Sequence, residues 1–226
     1  MDLENTMDST KWRLLQAALP HVPFDGWSEV TLTAAATESG TAPSLARALF
    51  PRGGVDLALA YHHYGDTQMY EALAATDLTA LRFRDRVTTA VRLRLQSADR
   101  ELVRRGAALF ALPQYTADGT RALWGTADAI WTALGDTSTD INWYTKRASL
   151  SAVYGATVLF WMGDDSLGST ATLDFLDRRI ENVMSFEKTK ARFRESPLGK
   201  AFLAGPMKIL ERVHAPQRPQ NTPGKI

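Results

Sequence analysis

Apolar residues recur every three or four positions along most of the chain, and the strict alternation typical of strands is almost absent. Alanine, leucine and arginine, which favour helices, are abundant. The pattern therefore predicts an all-α protein. We expect a first helix capped by Asp8 or Ser9 and stopped by Pro20 and Pro23. Further helices are predicted at 28–38, 42–49, 54–70, 78–96, 99–112, 120–134, 137–162, 171–192 and 197–213.

The early helices are short, surround a turn at Gly40 and precede a longer helix, which is the pattern of a helix-turn-helix. We predict a helix-turn-helix module at 9–75 and a C-terminal helical region, suited to ligand binding and dimerisation, at 76–194. An amphipathic helix is predicted at 195–214. Residues 215–226 hold proline, glutamine and glycine without periodicity, and we expect a disordered tail there.

Composition and charge exclude several classes of site. The chain has no cysteine, which excludes disulfides, thiolate metal sites and cysteine nucleophiles. A net charge of +1 gives no reason to expect strong non-specific binding to nucleic acid. The longest uncharged apolar run, at 148–162, would span about 22 Å as a helix, short of a bilayer core of about 30 Å. The first ten residues carry acids but no Lys or Arg, so we expect no leader peptide.

Few residues could support catalysis or hold a metal. Of the four histidines, the adjacent His62 and His63 would point to different sides of a helix, and His62 with Asp66 lacks further ligands for a closed site. The sequence contains no glycine-rich phosphate loop, nucleophile elbow or Glu-x-x-His pattern. We therefore predict no catalytic residue, no metal site and no cofactor, and interpret the protein as a non-enzyme.

The helix-turn-helix segment resembles the N-terminal module of TetR-type repressors, in GWSEVT at 26–31, Gly40, LFP at 49–51 and GVDL at 54–57. Binding to DNA requires cations that neutralise phosphates. Residues 1–60 hold four cations against seven anions, and the expected reading helix, 41–50, offers only Arg47 and carries Pro43 near its start. We interpret the module as a scaffold that does not read DNA. A working, ligand-responsive repressor is the alternative.

The helix predicted at 137–162 carries a group of functional residue types on one face. At about 100° per residue, four positions fall within an arc of about 100°: Asp140, Trp143, Tyr144 and Arg147. With Thr137 as the cap, Asp140 would complete a capping box. Small or apolar residues occupy the opposite side, and we expect that side to pack inwards: Ile141, Thr145, Ala148, Ala152, Gly155 and Ala156.

If the small residues face inwards, the face with Trp143, Tyr144 and Arg147 points outwards. Trp, Tyr and Arg are the residue types most enriched in interface hot spots, so we predict a surface that binds a partner protein. An ordinary contact between this face and a neighbouring helix is the alternative.

Two runs of sequence resemble the signature of the Coq-nine family of coenzyme Q biosynthesis accessory proteins: STDINWYTKRA at 138–148 and FLDRRIENVM at 175–184. The resemblance implies a dimeric, TetR-like fold with a bound lipid or isoprenoid such as a phospholipid or polyprenyl quinone. It implies association with the di-iron demethoxyubiquinone hydroxylase through Asp140, Trp143, Tyr144 and Arg147. It also implies a bacterial cytoplasmic location at the periphery of the inner membrane.

Large apolar residues between positions 99 and 162 suggest where lipid could bind, because TetR-type C-terminal halves hold cavities between helices. The candidates are Phe110, Trp124, Trp131, Leu159 and Phe160. Ordinary core packing is the alternative.

The helix predicted at 195–214 has a bulky apolar side opposite a basic one, which suits an anionic membrane surface. We predict membrane contact through Leu198, Phe202, Leu203 and Leu210. A surface helix packed on its own domain is the alternative. Together with the resemblance, which implies the precursor and the partner, these features predict a lipid-binding accessory protein that presents a polyprenyl quinone precursor to the hydroxylase.

Overall fold

The computed structural model describes the backbone of residues 3–195 and 215–216, and the side chains of residues 7–183, 215 and 216. This part of the chain is helical and contains no strand, which confirms the all-α prediction. Its helices are α1 (Leu3–Ala18), α2 (Val22–Asp25), α3 (Glu29–Glu38), α4 (Pro43–Leu49), α5 (Gly54–Ala74), α6 (Phe83–Gln96), α7 (Arg100–Phe110), α8 (Thr116–Ala133), α9 (Ile141–Met162) and α10 (Thr170–Glu195).

The helix-turn-helix forms as its sequence predicts. Ser28 caps α3 by accepting a hydrogen bond from the Thr31 amide at 3.2 Å, which satisfies one of the free donors at the start of the helix. Gly54 begins α5 in a crowded place, because a Cβ atom there would lie 2.2 Å from the carbonyl oxygen of Trp27. The first hydrophobic core lies under this module and includes Leu14, Val22, Trp27, Phe50 and Leu57.

A second hydrophobic core joins the remaining helices. It includes Met69, Val91, Ile130, Leu150 and Leu176, which come from α5, α6, α8, α9 and α10. Helix α9 packs between α8 and α10, and α8 also packs against α5. Since α5 contributes residues to both cores, the division of the chain at residue 75 stays a prediction.

The start of α9 differs from its prediction. The helix begins at Ile141, and the capping residue is Asp140, whose carboxylate accepts from the Asn142 amide at 3.0 Å. Thr137 lies before the helix and is not its cap. The physical reason is that the preceding segment, at 135–138, is tied to α9 by the side chain of Asp136, as described below, and does not continue the helix.

The C-terminal predictions fall largely outside the described residues. Leu198, Phe202, Leu203 and Leu210, proposed for membrane contact, lie outside them, as do 196–214 as a whole and 217–226. Ala215 is described, and its amide donates to the carbonyl oxygen of Thr139 at 2.8 Å. Within the described residues, every helix is too short or too polar to cross a bilayer.

Candidate functional site

Three aromatic side chains meet where α8 and α9 pack together. The ring of Trp124 lies 5.9 Å from that of Trp143 and 6.5 Å from that of Tyr144, centroid to centroid, and the last two rings are 4.8 Å apart. All three are partly exposed. We call Trp124, Trp143 and Tyr144 the aromatic patch. Asp140, the residue before α9, is also exposed.

Arg147 lies beneath the aromatic patch and not on its surface, so the prediction that it points outwards is wrong. Its side chain is 1% exposed. Nε donates to Asp128 Oδ1 at 2.6 Å, and Nη1 donates to Asp136 Oδ2 at 3.0 Å. The guanidinium carbon lies 4.1 Å from the centroid of the Trp143 ring, so the indole covers the charge in a cation–π contact. Two carboxylates thus allow the charge to be buried.

The reversal is also seen further along α9. Ala148 and Ala152, predicted to face the core, are exposed, whereas Leu150, Tyr154 and Trp161 are buried on the side of Arg147. The bulky side chains bury more apolar area than the alanines could, and Arg147 finds its carboxylate partners on the same side. Trp143 and Tyr144 lie at the edge of this buried face, which leaves them half-exposed.

Asp136 organises the segment before α9. Its side chain is 3% exposed and accepts from Arg147, from Lys146 Nζ at 2.7 Å and from Ser138 Oγ at 2.8 Å. Burial alone would raise the pKa of Asp136, but the hydrogen bonds from Lys146, Arg147 and Ser138 outweigh it and lower the pKa to about 2. The carboxylate therefore stays charged at neutral pH and holds both cations.

Sequence reasoning missed Asp128, Asp136 and Lys146 as members of this site. Asp136 follows Gly135, which has a positive φ of 79° and turns the chain back towards α9. A buried arginine requires an acidic partner nearby. A search for acidic residues close to Arg147 could therefore have pointed to Asp128 and Asp136. It could not be used while Arg147 was assigned to the surface.

Two cavities lie beside α9. The larger has a volume of about 560 Å³ and is lined by residues of α6, α8, α9 and α10, among them Phe83, Trp131, Lys146, Leu150 and Ile180. The smaller has a volume of about 330 Å³ and lies among α5, α6, α7, α8 and α9. Both are mostly apolar in lining, as pockets for lipid chains require.

The five lipid-binding candidates do not come together in one pocket. Trp131 lines the larger cavity, whereas Phe110 and Leu159 line the smaller one. Trp124 belongs to the aromatic patch, and Phe160 stacks on Phe175 with ring centroids 4.6 Å apart; neither lines either of these two cavities. A shared apolar composition does not distinguish the walls of two cavities from a surface contact.

Within the described part of the chain, no three His, Asp or Glu side chains converge in a way that could hold a metal ion.

Comparison with known proteins identifies relatives of the chain. The family model described as COQ9 matches residues 116–187. The mitochondrial ubiquinone biosynthesis protein COQ9 of Homo sapiens is 31% identical over 206 residues, which are 86% of this chain and 63% of that protein. The COQ9 protein of Drosophila melanogaster is 30% identical over 187 residues, 80% of this chain and 57% of the relative. The chain thus spans about three fifths of these two relatives.

A yeast relative is covered more fully. The mitochondrial ubiquinone biosynthesis protein coq9 of Schizosaccharomyces pombe is 32% identical over 173 residues, 75% of this chain and 68% of that protein.

Among solved structures, a TetR transcriptional regulator from Nitrosomonas europaea superposes with a TM-score of 0.63 at 19% identity, covering 77% of this chain and 97% of the regulator. At this identity the likeness shows a shared fold alone, and it confirms the TetR-like prediction. The identity and coverage of the fungal and animal relatives carry the assignment of family. The chain belongs to the COQ9 family.

Proposed function

We propose that this protein is a lipid-binding accessory factor, and not an enzyme, that presents a polyprenyl quinone precursor to a di-iron demethoxyubiquinone hydroxylase. The observation that carries the proposal is the aromatic patch, held in place from below by Arg147. The names of the relatives supply the pathway, and the patch supplies a surface on which a partner protein could dock.

The patch has the physical properties of a docking surface. Tryptophan and tyrosine provide large contact areas and dominate interface hot spots. Here the Trp143 ring is already fixed by Arg147 and by its contacts with Trp124 and Tyr144, so little side-chain freedom remains to be lost on binding. In this proposal Trp143 and Tyr144 contact the partner, exposed Asp140 contributes charge at the edge, and Arg147 acts from inside by positioning Trp143.

The lipid half of the proposal rests on the two apolar cavities. Polyprenyl chains are driven out of water, so a protein cavity offers them an environment that bulk solvent does not. In the same proposal the chain works as a homodimer at the surface of the bacterial inner membrane, with Leu198, Phe202, Leu203 and Leu210 as the contact residues.

Ion pairs formed by two arginines of the helix-turn-helix weaken the repressor alternative. Arg47, on α4, pairs with Glu29, with Nη1 2.8 Å from Oε1. Arg52 pairs with Asp56 at 2.9 Å and with Asp118 at 3.0 Å. Paired cations are poor phosphate ligands, since binding to DNA would require breaking these pairs. We propose that the module does not bind nucleic acid. Selective retardation of promoter DNA from its own gene at low salt would contradict this.

The experiment that tests the proposal is copurification. The tagged full chain is expressed with the hydroxylase of the same organism, and the complex is isolated and examined by native mass spectrometry. We expect both proteins and a bound prenylated molecule. Recovery of the chain alone, with no small molecule, would contradict both halves of the proposal.

A further inference from the structure

The lining of the larger cavity contains two groups of side chains. The apolar group comes from α6, α8, α9 and α10, and in it the rings of Phe83 and Trp131 stack with centroids 5.5 Å apart. Its other members include Val87, Leu134, Leu150, Val153 and Ile180. Apart from Arg84, the polar group lies within one stretch of the chain: Asp136, Thr137, Ser138, Asn142, Thr145, Lys146 and Ser149. A mostly apolar pocket with a few polar groups is typical of a small-molecule site, because the polar groups fix the orientation of the ligand.

The charged residues of this lining carry a net positive charge. They are two cations, Arg84 and Lys146, and one anion, Asp136. Asp136 is also shared, since it accepts a second charged hydrogen bond, at 3.0 Å, from Arg147, which does not line the cavity. Lys146 Nζ lies 5.1 Å from the centroid of the Trp131 ring, and its side chain is 37% exposed. A cleft in which one sign of charge prevails attracts ligands of the opposite sign, so the lining favours an anion.

Arg84 has a hydrogen-bond donor without a partner. Its Nη1 donates to Glu181 Oε2 at 2.5 Å, at the surface, where the side chain of Glu181 is 49% exposed. Its Nε is buried, and in the part of the chain that the structure describes it is the one buried side-chain nitrogen or oxygen without a hydrogen-bond partner. A buried donor that stays unpaired is costly. Since Arg84 lines the cavity, a ligand oxygen could accept from Nε and remove this cost, and guanidinium groups suit carboxylates and phosphates in particular.

We propose that the larger cavity binds an amphiphile with one apolar chain and a small acidic head group, either a carboxylate or a phosphate. Arg84 and Lys146 bind the head group, and the chain packs among Val87, Leu150 and Ile180. This inference goes beyond the proposed function, because a quinone ring carries no acidic group and the amphiphile is therefore a second ligand.

Charge and volume distinguish this ligand from other amphiphiles. A cationic head group would be repelled by Arg84 and Lys146, and a neutral one would gain less from them than an anion does. At about 560 Å³ the cavity lies well inside the range for small-molecule sites, which is roughly 300–1,000 Å³. The cavity therefore has room for the head group together with an apolar chain.

Calorimetric titration of the purified full chain tests the nature of the head group. The probes share one alkyl chain and are dodecanoate, dodecyl phosphate, dodecanol and dodecyltrimethylammonium, each used below the concentration at which it forms micelles. We expect at least one of the two acids to bind at least about tenfold more tightly than dodecanol, as one charge-assisted hydrogen bond predicts. The acid that binds more tightly identifies the head group. Dodecyltrimethylammonium should bind more weakly than dodecanol.

Substitutions of Arg84 test its part in the site. Arg84→Met should weaken binding of the preferred acid to the level of dodecanol. Arg84→Lys keeps the charge but lacks Nε, so it should restore only part of the lost affinity. Arg92→Met is the matched control, because Arg92 is an exposed arginine on the same helix and does not line the cavity. This control should bind the acid as wild type does.

Substitutions that fill a cavity show where the acid binds. Ser149→Trp, in the larger cavity, should abolish binding of the acid with a thermal unfolding midpoint close to that of wild type, and Thr145→Trp replaces it if it does not fold. Ala107→Trp, in the smaller cavity, should leave binding of the acid unchanged.

Three results would overturn the inference. They are equal affinity of the wild type for the acids and dodecanol, wild-type affinity for the acid in Arg84→Met, and loss of acid binding in Ala107→Trp but not in Ser149→Trp. Failure of every probe to bind would overturn it as well. All four outcomes leave the docking of the hydroxylase on the aromatic patch unaffected, because that docking is measured with the partner protein.

Discussion

Arg147 carries its charge into the interior, where Asp128 and Asp136 neutralise it and Trp143 covers it. A buried cation of this kind stabilises the fold little compared with an apolar residue of the same size, but it is costly to disturb once its partners are in place. In the proposed function Arg147 also sets the orientation of the Trp143 ring, through their cation–π contact.

The first residue-scale prediction concerns this cluster. Arg147→Met leaves Asp136 buried without its guanidinium partner, and we expect the free energy of unfolding to fall by about 3 kcal/mol. Arg82→Met is the matched control, because Arg82 forms an ion pair on the surface with a side chain that is 82% exposed. Such a pair contributes less than about 1 kcal/mol. Urea unfolding measures both changes, and equal losses would contradict the buried role of Arg147.

The second residue-scale prediction concerns His62. Burial lowers the pKa of His62 to about 4 in the folded protein, whereas a free histidine has a pKa of 6.5. The unfolded chain therefore takes up the proton first as pH falls. Stability contributed by neutral His62 is therefore complete above pH 6.5 and is lost progressively towards pH 4. Between pH 7.5 and pH 5 we expect a loss of about 2 kcal/mol from this group.

Urea unfolding at the two pH values checks this expectation in two variants. His62→Gln should reduce the pH dependence, whereas His63→Gln, an exposed residue next in the chain, should keep that of wild type. The same pH dependence in both variants would show that His62 is not held neutral by burial.

At the scale of the element, α9 shows what helical periodicity predicts and what it does not. The positions of Trp143 and Tyr144 on one face were predicted, and the structure places them together with partial exposure. The inward direction was assigned to the wrong side, because alanine and glycine fit a core as readily as a surface. What decides the direction is the pairing of Arg147 with Asp128 and Asp136, which lie 19 and 11 positions away in the sequence. Helical periodicity gives no information about partners this far away in the sequence.

Helix ends show the same contrast between local and distant causes. The start of α3 after Ser28 was predicted to within one residue, since its cap is a bond between neighbours in the sequence. The start of α9 was missed by four residues, because Asp136 engages Lys146 and Arg147 in the next helix instead of joining that helix.

The element-scale prediction tests the orientation of α9 directly. Leu150→Ala, on the buried side, should lower the free energy of unfolding by about 2–5 kcal/mol through the cavity it creates. Ala148→Gln, on the exposed side, should change it by less than about 0.5 kcal/mol. Chemical denaturation of the two variants gives the comparison. A large loss for Ala148→Gln and a small one for Leu150→Ala would restore the orientation that the sequence suggested.

At the scale of the whole molecule, one helix contributes both to the proposed docking surface and to the two cavities. Helix α9 supplies Trp143 and Tyr144 to the aromatic patch, Lys146 and Leu150 to the larger cavity, and Tyr154 with its neighbours to the smaller one. A partner on the patch and a ligand in a cavity would thus touch the same rigid element. The all-α class, the TetR-like fold and the family could be read from the sequence, since these depend on helical periodicity and on two contiguous runs.

The cavities could not be predicted in this way. Their walls come from as many as five helices, and apolar residues such as Trp131 and Phe160 look alike in sequence although one lines a cavity and the other stacks on a neighbouring ring.

In the proposed function the aromatic patch docks the hydroxylase, and replacement of Tyr144 tests this docking. Unlike Trp143, Tyr144 does not cover the Arg147 charge, so its removal should leave the fold intact. Calorimetric titration with the purified hydroxylase should show Tyr144→Ala binding at least about tenfold more weakly than wild type. Tyr70→Ala, an exposed tyrosine on α5, should bind as wild type does. Wild-type affinity in a folded Tyr144→Ala variant would show that the aromatic patch does not dock the hydroxylase.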